Sequence, residues 1–255
     1  MTLLAQLSDL HLRADGGDPC HDPARALHAA FEVIAGLDLR PEAILMSGDV
    51  IDRSAPDYSR ALALLRAAPV ALWPMPGNHD RPEAFRAAFA DWAPFAVDHL
   101  SFTQRIGPMR LVALDSNLAG GKGGVDPLRL DWLARVLAES DAPVLLALHH
   151  PPFATGLPHL DRQGFAGAED LARLVAGSAI CRVIAGHAHR GIRRSWAGVE
   201  ASVAPALGHG LGLSFAGAKH LPAPGAPGFE LHDLRGATER EGPLVISHQI
   251  TLATD

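Results

Sequence analysis

The sequence predicts an α/β fold whose strands deliver polar residues to one sheet edge, and three observations carry that expectation. Five apolar runs each end in metal-capable or proton-carrying residues: Leu3–Leu7 before Asp9 and His11, Ala43–Met46 before Asp49, Val70–Met75 before Asn78 and His79, Val144–Leu148 before His149 and His150, and Val183–Ala185 before His187 and His189. Stretches with helical spacing separate the first three runs, the βαβ pattern of parallel strands with right-handed crossovers. Phe102–Ile106, Gly107-Pro108 and Met109–Leu114 then read as a hairpin that opens a second half. Open α/β folds place their ligands at strand ends of this kind.

The elements follow in order. A loop rich in Gly and Asp spans residues 15–19. Asp22-Pro23 supplies an N-cap and a proline at the first helical position; Leu27, Ala30, Phe31 and Ile34 give that helix a buried face, and Gly36 and Pro41 bracket its end. Ser54-Ala55-Pro56 opens a second helix with Leu62, Leu65 and Ala68 inward, and a third of about nine residues starts near Pro82, with Phe85 and Phe89 one turn apart. Asp126-Pro127 caps a helix carrying Leu130, Trp132, Leu133, Val136 and Leu137. Residues 151–167, rich in Pro and Gly, read as a long loop over the site. A helix near Glu169–Val175 precedes the fifth run, residues 191–215 alternate enough for one or two strands, 221–228 read as a turn, and Leu244–Leu252 as the last strand. No boundary interrupts the clusters, so residues 1–255 read as one domain. Strands from about 191 are expected to complete the second sheet and to be available for an oligomer contact.

Composition narrows the function classes. A hydrophobic fraction of 48% supports a large core, and a net charge of -6 without any Lys/Arg run disfavours nucleic-acid backbones and anionic membranes as partners. Cys20 and Cys181 are too few and too far apart for a disulfide framework or a thiolate zinc site, and Cys181 reads as a small core residue. No basic segment precedes an apolar stretch at the N-terminus, and no apolar run approaches about 18 residues, so the expectation is a soluble, cytoplasmic protein. Gly120–Gly124 is not a phosphate loop, because Lys122 is followed by Gly and no strand-to-helix spacing surrounds it.

The donor types define the chemistry. Asp9 with His11, and His187 with His189, stand two residues apart, which places each pair on one side of an extended segment. Carboxylates, imidazoles and an amide without thiolate suit Mn, Fe, Zn or Co. Seven donors exceed what one four-coordinate ion needs, so two ions sharing a carboxylate are expected, with Asp49, alone on its strand end, as the bridge. One such residue at a strand end is ordinarily a cap or a solvated group; the joint placement of the set is what argues for a site.

Asp9-Leu10-His11, Gly48-Asp49, Gly77-Asn78-His79-Asp80, His149-His150-Pro151-Pro152 and Gly186-His187-Ala188-His189 together resemble, in order and over about residues 1–200, the calcineurin-like metallophosphoesterases, and within them the class III cyclic nucleotide and glycerophosphodiester phosphodiesterases. The resemblance implies a four-layer αββα sandwich of two mixed sheets flanked by helices. It implies one divalent ion on Asp9, His11, Asp49 and His189 and a second on Asp49, Asn78, His149 and His187, with His79 contacting phosphate and moving charge or a proton to the leaving group. Two ions about 3.5–4 Å apart would clamp the phosphoryl group and yield a hydroxide for in-line attack. The family's ligand histidine is followed, one residue later, by Pro, which selects His149 over His150. His159 and His209 are similar to histidines lining the substrate side.

His21, His28, His99, His220, His232 and His248 read as structural or solvated, and Asp80 as support for His79 or a helix cap. Arg53 and Arg190 are phosphate candidates, while Trp73, Trp92, Trp132 and Trp196 read as core. The leading expectation is therefore a phosphodiesterase acting on small diesters such as cyclic nucleotides or glycerophosphodiesters. A phosphomonoesterase or nuclease of the same superfamily is the alternative, and a non-catalytic metal-binding scaffold, which would be expected to lack a ligand or His79, is a third reading.

Overall fold

A computed structural model describes residues 1–14, 22–215, 222–223, 225–235 and 244–253; the loop expected at 15–19, Cys20, His21 and His220 lie outside them. The first half runs β1 (Thr2–Leu7), α1 (Pro23–Ala35), β2 (Ala43–Ser47), α2 (Ser59–Leu65), β3 (Ala71–Met75) and α3 (Pro82–Phe89). Its three strands pair in parallel. The antiparallel hairpin of β4 (Phe102–Ile106) and β5 (Met109–Ala113) follows, then the short pair β6 (Asn117–Leu118) and β7 (Lys122–Gly123), α4 (Pro127–Ala138) and β8 (Val144–Ala147). After α5 (Pro158–Asp161) and α6 (Ala168–Ala176) come β9 (Ile180–Ala185), β10 (Ile192–Trp196), β11 (Val199–Val203), the small pair β12 (Gly210–Leu211) and β13 (Pro222–Ala223), β14 (Gly228–Arg235) and β15 (Leu244–Thr251).

Two mixed sheets result, in the orders β15-β14-β1-β2-β3 and β10-β11-β9-β8-β5-β4. Side-chain alternation along the strands sorts the interior into three apolar layers. Ala5, Leu7, Ile44 and Met46 face α1, α2 and α3, where Leu27, Phe31, Ile34, Phe85 and Phe89 are buried. Leu4, Leu45 and Met75 on the opposite face meet Leu111, Leu145 and Ile184 of the second sheet. Val112, Leu146 and Val183 pack outward against Leu133 of α4 and Leu171 and Val175 of α6. Helices, sheet, sheet and helices are the four layers.

Helix starts obey local chemistry. The Asp22 carboxylate accepts from the amides of Ala24 and Arg25, and Asp126 does the same for Arg129. The second helix begins at Ser59 rather than near Ser54, because the amide of Ala55 bonds back to the Asp52 carbonyl in a turn and Asp57 accepts from Ser59. The 151–167 loop contains one helical turn, α5; Asp161 stitches it by accepting from Thr155, main chain and hydroxyl, and from Gly156.

Three further expectations change. β14 is a strand the sequence does not announce: it is buried along most of its length yet carries Glu230, His232 and Asp233, so its pattern does not read as an apolar strand. β10 and β11 do join the second sheet, whereas β14 and β15 extend the first, β14 pairing antiparallel to β1. The four tryptophans and Cys181 are only half-buried, at the margins of the apolar layers, because each sits where a layer meets solvent. Among the described residues no helix is long and apolar enough to cross a membrane.

Candidate metal centre

The parallel strands β1, β2, β3, β8 and β9 end on one edge, and the loops leaving them carry the candidate residues. Beyond β1 and β2 the main chains stay paired, with Asp9 N–H on the Gly48 carbonyl (3.1 Å) and His11 N–H on the Asp49 carbonyl (2.9 Å). The i, i+2 pairs converge, but not through extended backbone. Asp9 and His11 have φ of 53° and 50°, and His187 and His189 have 70° and 52°. Asp49, at 52°, shares that left-handed region, so among the described residues five of the six non-glycine residues with positive φ are predicted ligands. Each costs about 1–3 kcal/mol of strain, which clusters at functional sites. Gly48 and Gly77 complete the arrangement: a Cβ on Gly48 would strike the His149 ring, and one on Gly77 would strike the Asp49 carboxylate.

Two clusters form. In the first, the donor atoms of Asp9, His11, Asp49 and His189 all lie within 4.8 Å of one another, and all four residues are buried. His189 donates its Nδ1–H to the His209 carbonyl (2.6 Å), leaving Nε2 at 3.1 Å from His11 Nε2 and 3.4 Å from Asp9 Oδ1. In the second, His149 donates its Nδ1–H to the Ser47 carbonyl (2.9 Å), so Nε2 faces Asn78 Oδ1 at 3.2 Å and Asp49 Oδ2 at 3.3 Å. The same Oδ2 is 3.4 Å from His11 Nε2. One oxygen of Asp49 therefore stands between the clusters, while its other oxygen accepts from the His79 amide (2.7 Å). The rings of His149 and His187 are 5.2 Å apart.

Charge in the cluster is polarised. Burial opposes ionisation of Asp9 and Asp49, yet the imidazoles beside them outweigh it and hold both carboxyls well below the usual range. Burial pushes His11 and His187 down, to about 3 and about 4, but at His149 the Asp49 carboxylate overcomes burial and raises it to about 9. His189 is raised in the same way by Asp9. Lone pairs that converge this closely repel unless a proton or a cation lies among them, so the donor set fits hard or borderline divalent ions.

His79 lies at the rim, its side chain 27% exposed, its ring edge-on and 4.5 Å from that of His11, with Nδ1 3.5 Å from Asp52 Oδ2, so that His11, Asp52 and His79 form a third group of neighbouring donors. That carboxylate is also 3.9 Å from His11 Nδ1, and burial is outweighed at Asp52 by the Ser54 bonds that lower it. Asp52 carries no motif of its own in the sequence; its place three residues after Asp49 is the one signal for it. Asp80 neither supports His79 nor caps α3. It accepts from Val50, Ile51 and Gly77 amides and from the Tyr58 hydroxyl, clamping the Asp49 loop to the Asn78 loop. Burial and the nearby Asp49 charge push it up to about 7.

His150 lies within reach of His149 and His187 and could be counted as a donor with them. Its Nδ1 is engaged with the Ser116 hydroxyl at 3.0 Å, which leaves its Nε2 as the available donor, while Asn78 Oδ1 stands 3.2 Å from His149 Nε2. His209 brings its ring to 4.5 Å from His189 and 5.3 Å from His11, whereas His159, on α5, belongs to neither cluster. Arg53 bonds the Asn78 carbonyl and Arg190 the Leu211 carbonyl. A cavity of about 170 Å³ beneath the 151–167 segment is lined by His150, Phe153, Leu160, Phe165 and His187 and opens beside the second cluster.

An α/β sandwich that gathers two such clusters around one carboxylate at its strand ends defines a metal-dependent class of protein. Residues 2–191 match the model of the calcineurin-like phosphoesterases, and the chain belongs to that family, whose members use divalent metals. It is 30% identical, over 90% of its length and 88% of the relative's, to a protein of Arcobacter nitrofigilis named as a probable glycerophosphodiester phosphodiesterase. It is 31% identical, over 90% of its length and 74% of the relative's, to a cAMP/cGMP dual specificity phosphodiesterase of Mycobacterium tuberculosis. The fold is similar to that of GAP50, the anchor in the inner membrane complex of Plasmodium, at a TM-score of 0.63 and 13% identity, covering 99% of this chain and 89% of that one.

Proposed function

We propose that this chain is a dinuclear-metal phosphodiesterase that hydrolyses small phosphodiesters, of the cyclic nucleotide or glycerophosphodiester kind named for its relatives. The observation that carries the reading is Asp49 Oδ2, held 3.4 and 3.3 Å from an imidazole nitrogen of each cluster. Two divalent ions, Mn, Fe, Zn or Co, would supply Lewis acidity and lower the pKa of water toward ~7. Asp9, His11 and His189 would hold one, Asn78, His149 and His187 the other, with Asp49 between.

The remaining chemistry falls to the protein. His79 presents Nδ1 to Asp52, which leaves Nε2 for the substrate, where it steadies a phosphoryl oxygen or hands a proton to the departing alkoxide. Five strained residues on three loops, those after β1, β2 and β9, hold their donors in place before substrate arrives. The cavity beside His187 takes one ester group, and a net charge of -6 without a basic stripe favours a small diester over a polynucleotide. The whole chain acts as one folding unit, since β14 and β15 complete the sheet that β1 begins.

The test is hydrolysis of bis(p-nitrophenyl) phosphate against the monoester, with and without added Mn, alongside metal content. Diester turnover that tracks about two ions per chain supports the proposal. A faster monoester would make the protein a phosphomonoesterase, and metal without any hydrolysis would point to a binding protein.

A further inference from the structure

The layer between the sheets is apolar on one side and polar on the other. Leu4 of β1 enters the apolar part, and Gln6, on the same face and fully buried, begins the polar part. Its amide nitrogen donates to the Ser47 hydroxyl at 3.0 Å and to the Ala185 carbonyl at 2.9 Å. These bonds span both sheets. Ser47 is the residue whose carbonyl receives the His149 Nδ1–H, and Ala185 stands two residues before His187. One carboxamide thus joins the end of β2, where the Ser47 carbonyl holds the His149 ring, to the end of β9, which leads into His187.

The direction of the network follows from one atom. A carbonyl only accepts, so the Gln6 atom facing Ala185 is nitrogen, and Oε1 faces His232 Nε2 at 3.0 Å. That nitrogen must carry the ring proton. His232 Nδ1 then accepts from the Ser247 hydroxyl (2.8 Å), whose oxygen accepts from Arg182 (3.0 Å). Burial, with Arg182 and Arg193 adjacent, pushes His232 down to about 3 and keeps the ring neutral, as the network requires. Glu230, 3.8 Å from Nε2, is occupied by Arg193 and Ser202.

We propose that Gln6 is a positioning residue for the second metal cluster, acting through Ser47 and Ala185 on His149 and His187, with His232 fixing which way its amide points. The inference rests on the dinuclear reading above. Groups one step behind the ligands orient them, and removing such a partner weakens metal binding about 10–100-fold. The effect here falls mainly on the second ion, because the ring nitrogen held by the Ser47 carbonyl is that of His149, whereas His189 is held by the His209 carbonyl, which Gln6 does not touch.

Calorimetric titration of Mn into the metal-free protein tests it. Gln6→Met keeps the volume and loses both donors; the weaker binding phase is expected to lose about 10–100-fold in affinity while the tighter phase holds. His232→Gln, which can still donate to Gln6 and accept from Ser247, should keep both phases, and His232→Leu should behave like Gln6→Met. Two unchanged phases in Gln6→Met, or equal weakening of both, would reduce Gln6 to an ordinary strut and overturn the role. If Gln6→Met does not fold, identical titrations for the two His232 variants overturn it instead. A wild-type protein that binds no Mn would sink the metal centre itself, a result separable from the failure of Gln6.

Discussion

The cluster built on Asp9, His11 and His189 is closed and rich in charge, whereas the cluster built on Asn78, His149 and His187 is partly open and has no carboxylate of its own. All four donors of the first are buried, and two of them, Asp9 and Asp49, are carboxylates. In the second, Asn78 and His187 are half-exposed, and the only carboxylate is the shared Asp49. The difference teaches how one edge can both retain a metal and admit a substrate. Buried paired charge favours tight, slow-exchanging binding, and a part-buried neutral amide leaves room for a phosphoryl oxygen.

The largest test breaks both sides at once. Asp49→Ala removes the oxygen that stands between the clusters, and both ions are expected to be lost, with hydrolysis falling at least ~10³-fold. Elemental analysis checks it, and full two-metal occupancy in that variant would refute the bridge. His79→Ala is the complement: metal content should stay near wild type while turnover drops about 10²–10⁴-fold. Loss of both ions from His79→Ala would deny it a role in the chemistry.

A narrower change addresses the asymmetry itself. Asn78→Ala should weaken only the second ion, by roughly 10–100-fold, and Asn78→Asp should tighten it by giving that cluster a charge of its own. Titration separates the two phases; equal weakening of both in Asn78→Ala would erase the distinction drawn between the halves.

How far the sequence disclosed this arrangement differs between fold and site. Apolar runs ending in Asp, Asn and His told of five strands sharing an edge, because parallel strands buried on both faces are written as continuous apolar segments. β14 stayed hidden for the opposite reason: its inward face carries Glu230 and His232, which belong to a polar layer that only the meeting of two sheets creates. In the site, the convergence of Asp9 with His11 was legible as spacing, but its cause was not. The left-handed backbone at both residues goes with the pairing of their loop to the Asp49 loop, through bonds from Asp9 to Gly48 and from His11 to Asp49 that join residues far apart in sequence. Asp52 and Gln6 escaped notice because each works through another residue, and such roles are set by tertiary distance.

The smallest effect concerns protons, and it is where the two clusters should look alike. In the metal-free protein each contains one imidazole pushed down, His11 or His187, and one pulled up, His189 or His149. His149, raised to about 9 by Asp49 against the effect of burial, carries a proton at pH 7. A metal ion needs the neutral ring, so loading the second cluster at pH 7 must expel that proton. The sign is therefore fixed: its apparent affinity climbs with pH, by at most about tenfold per unit, until about pH 9 and flattens above. Mn titrations in buffers of different ionisation enthalpy count the protons released. About one should come from His149 when the second ion binds, and uptake at pH 7 with no release would mean that Asp49 does not govern His149.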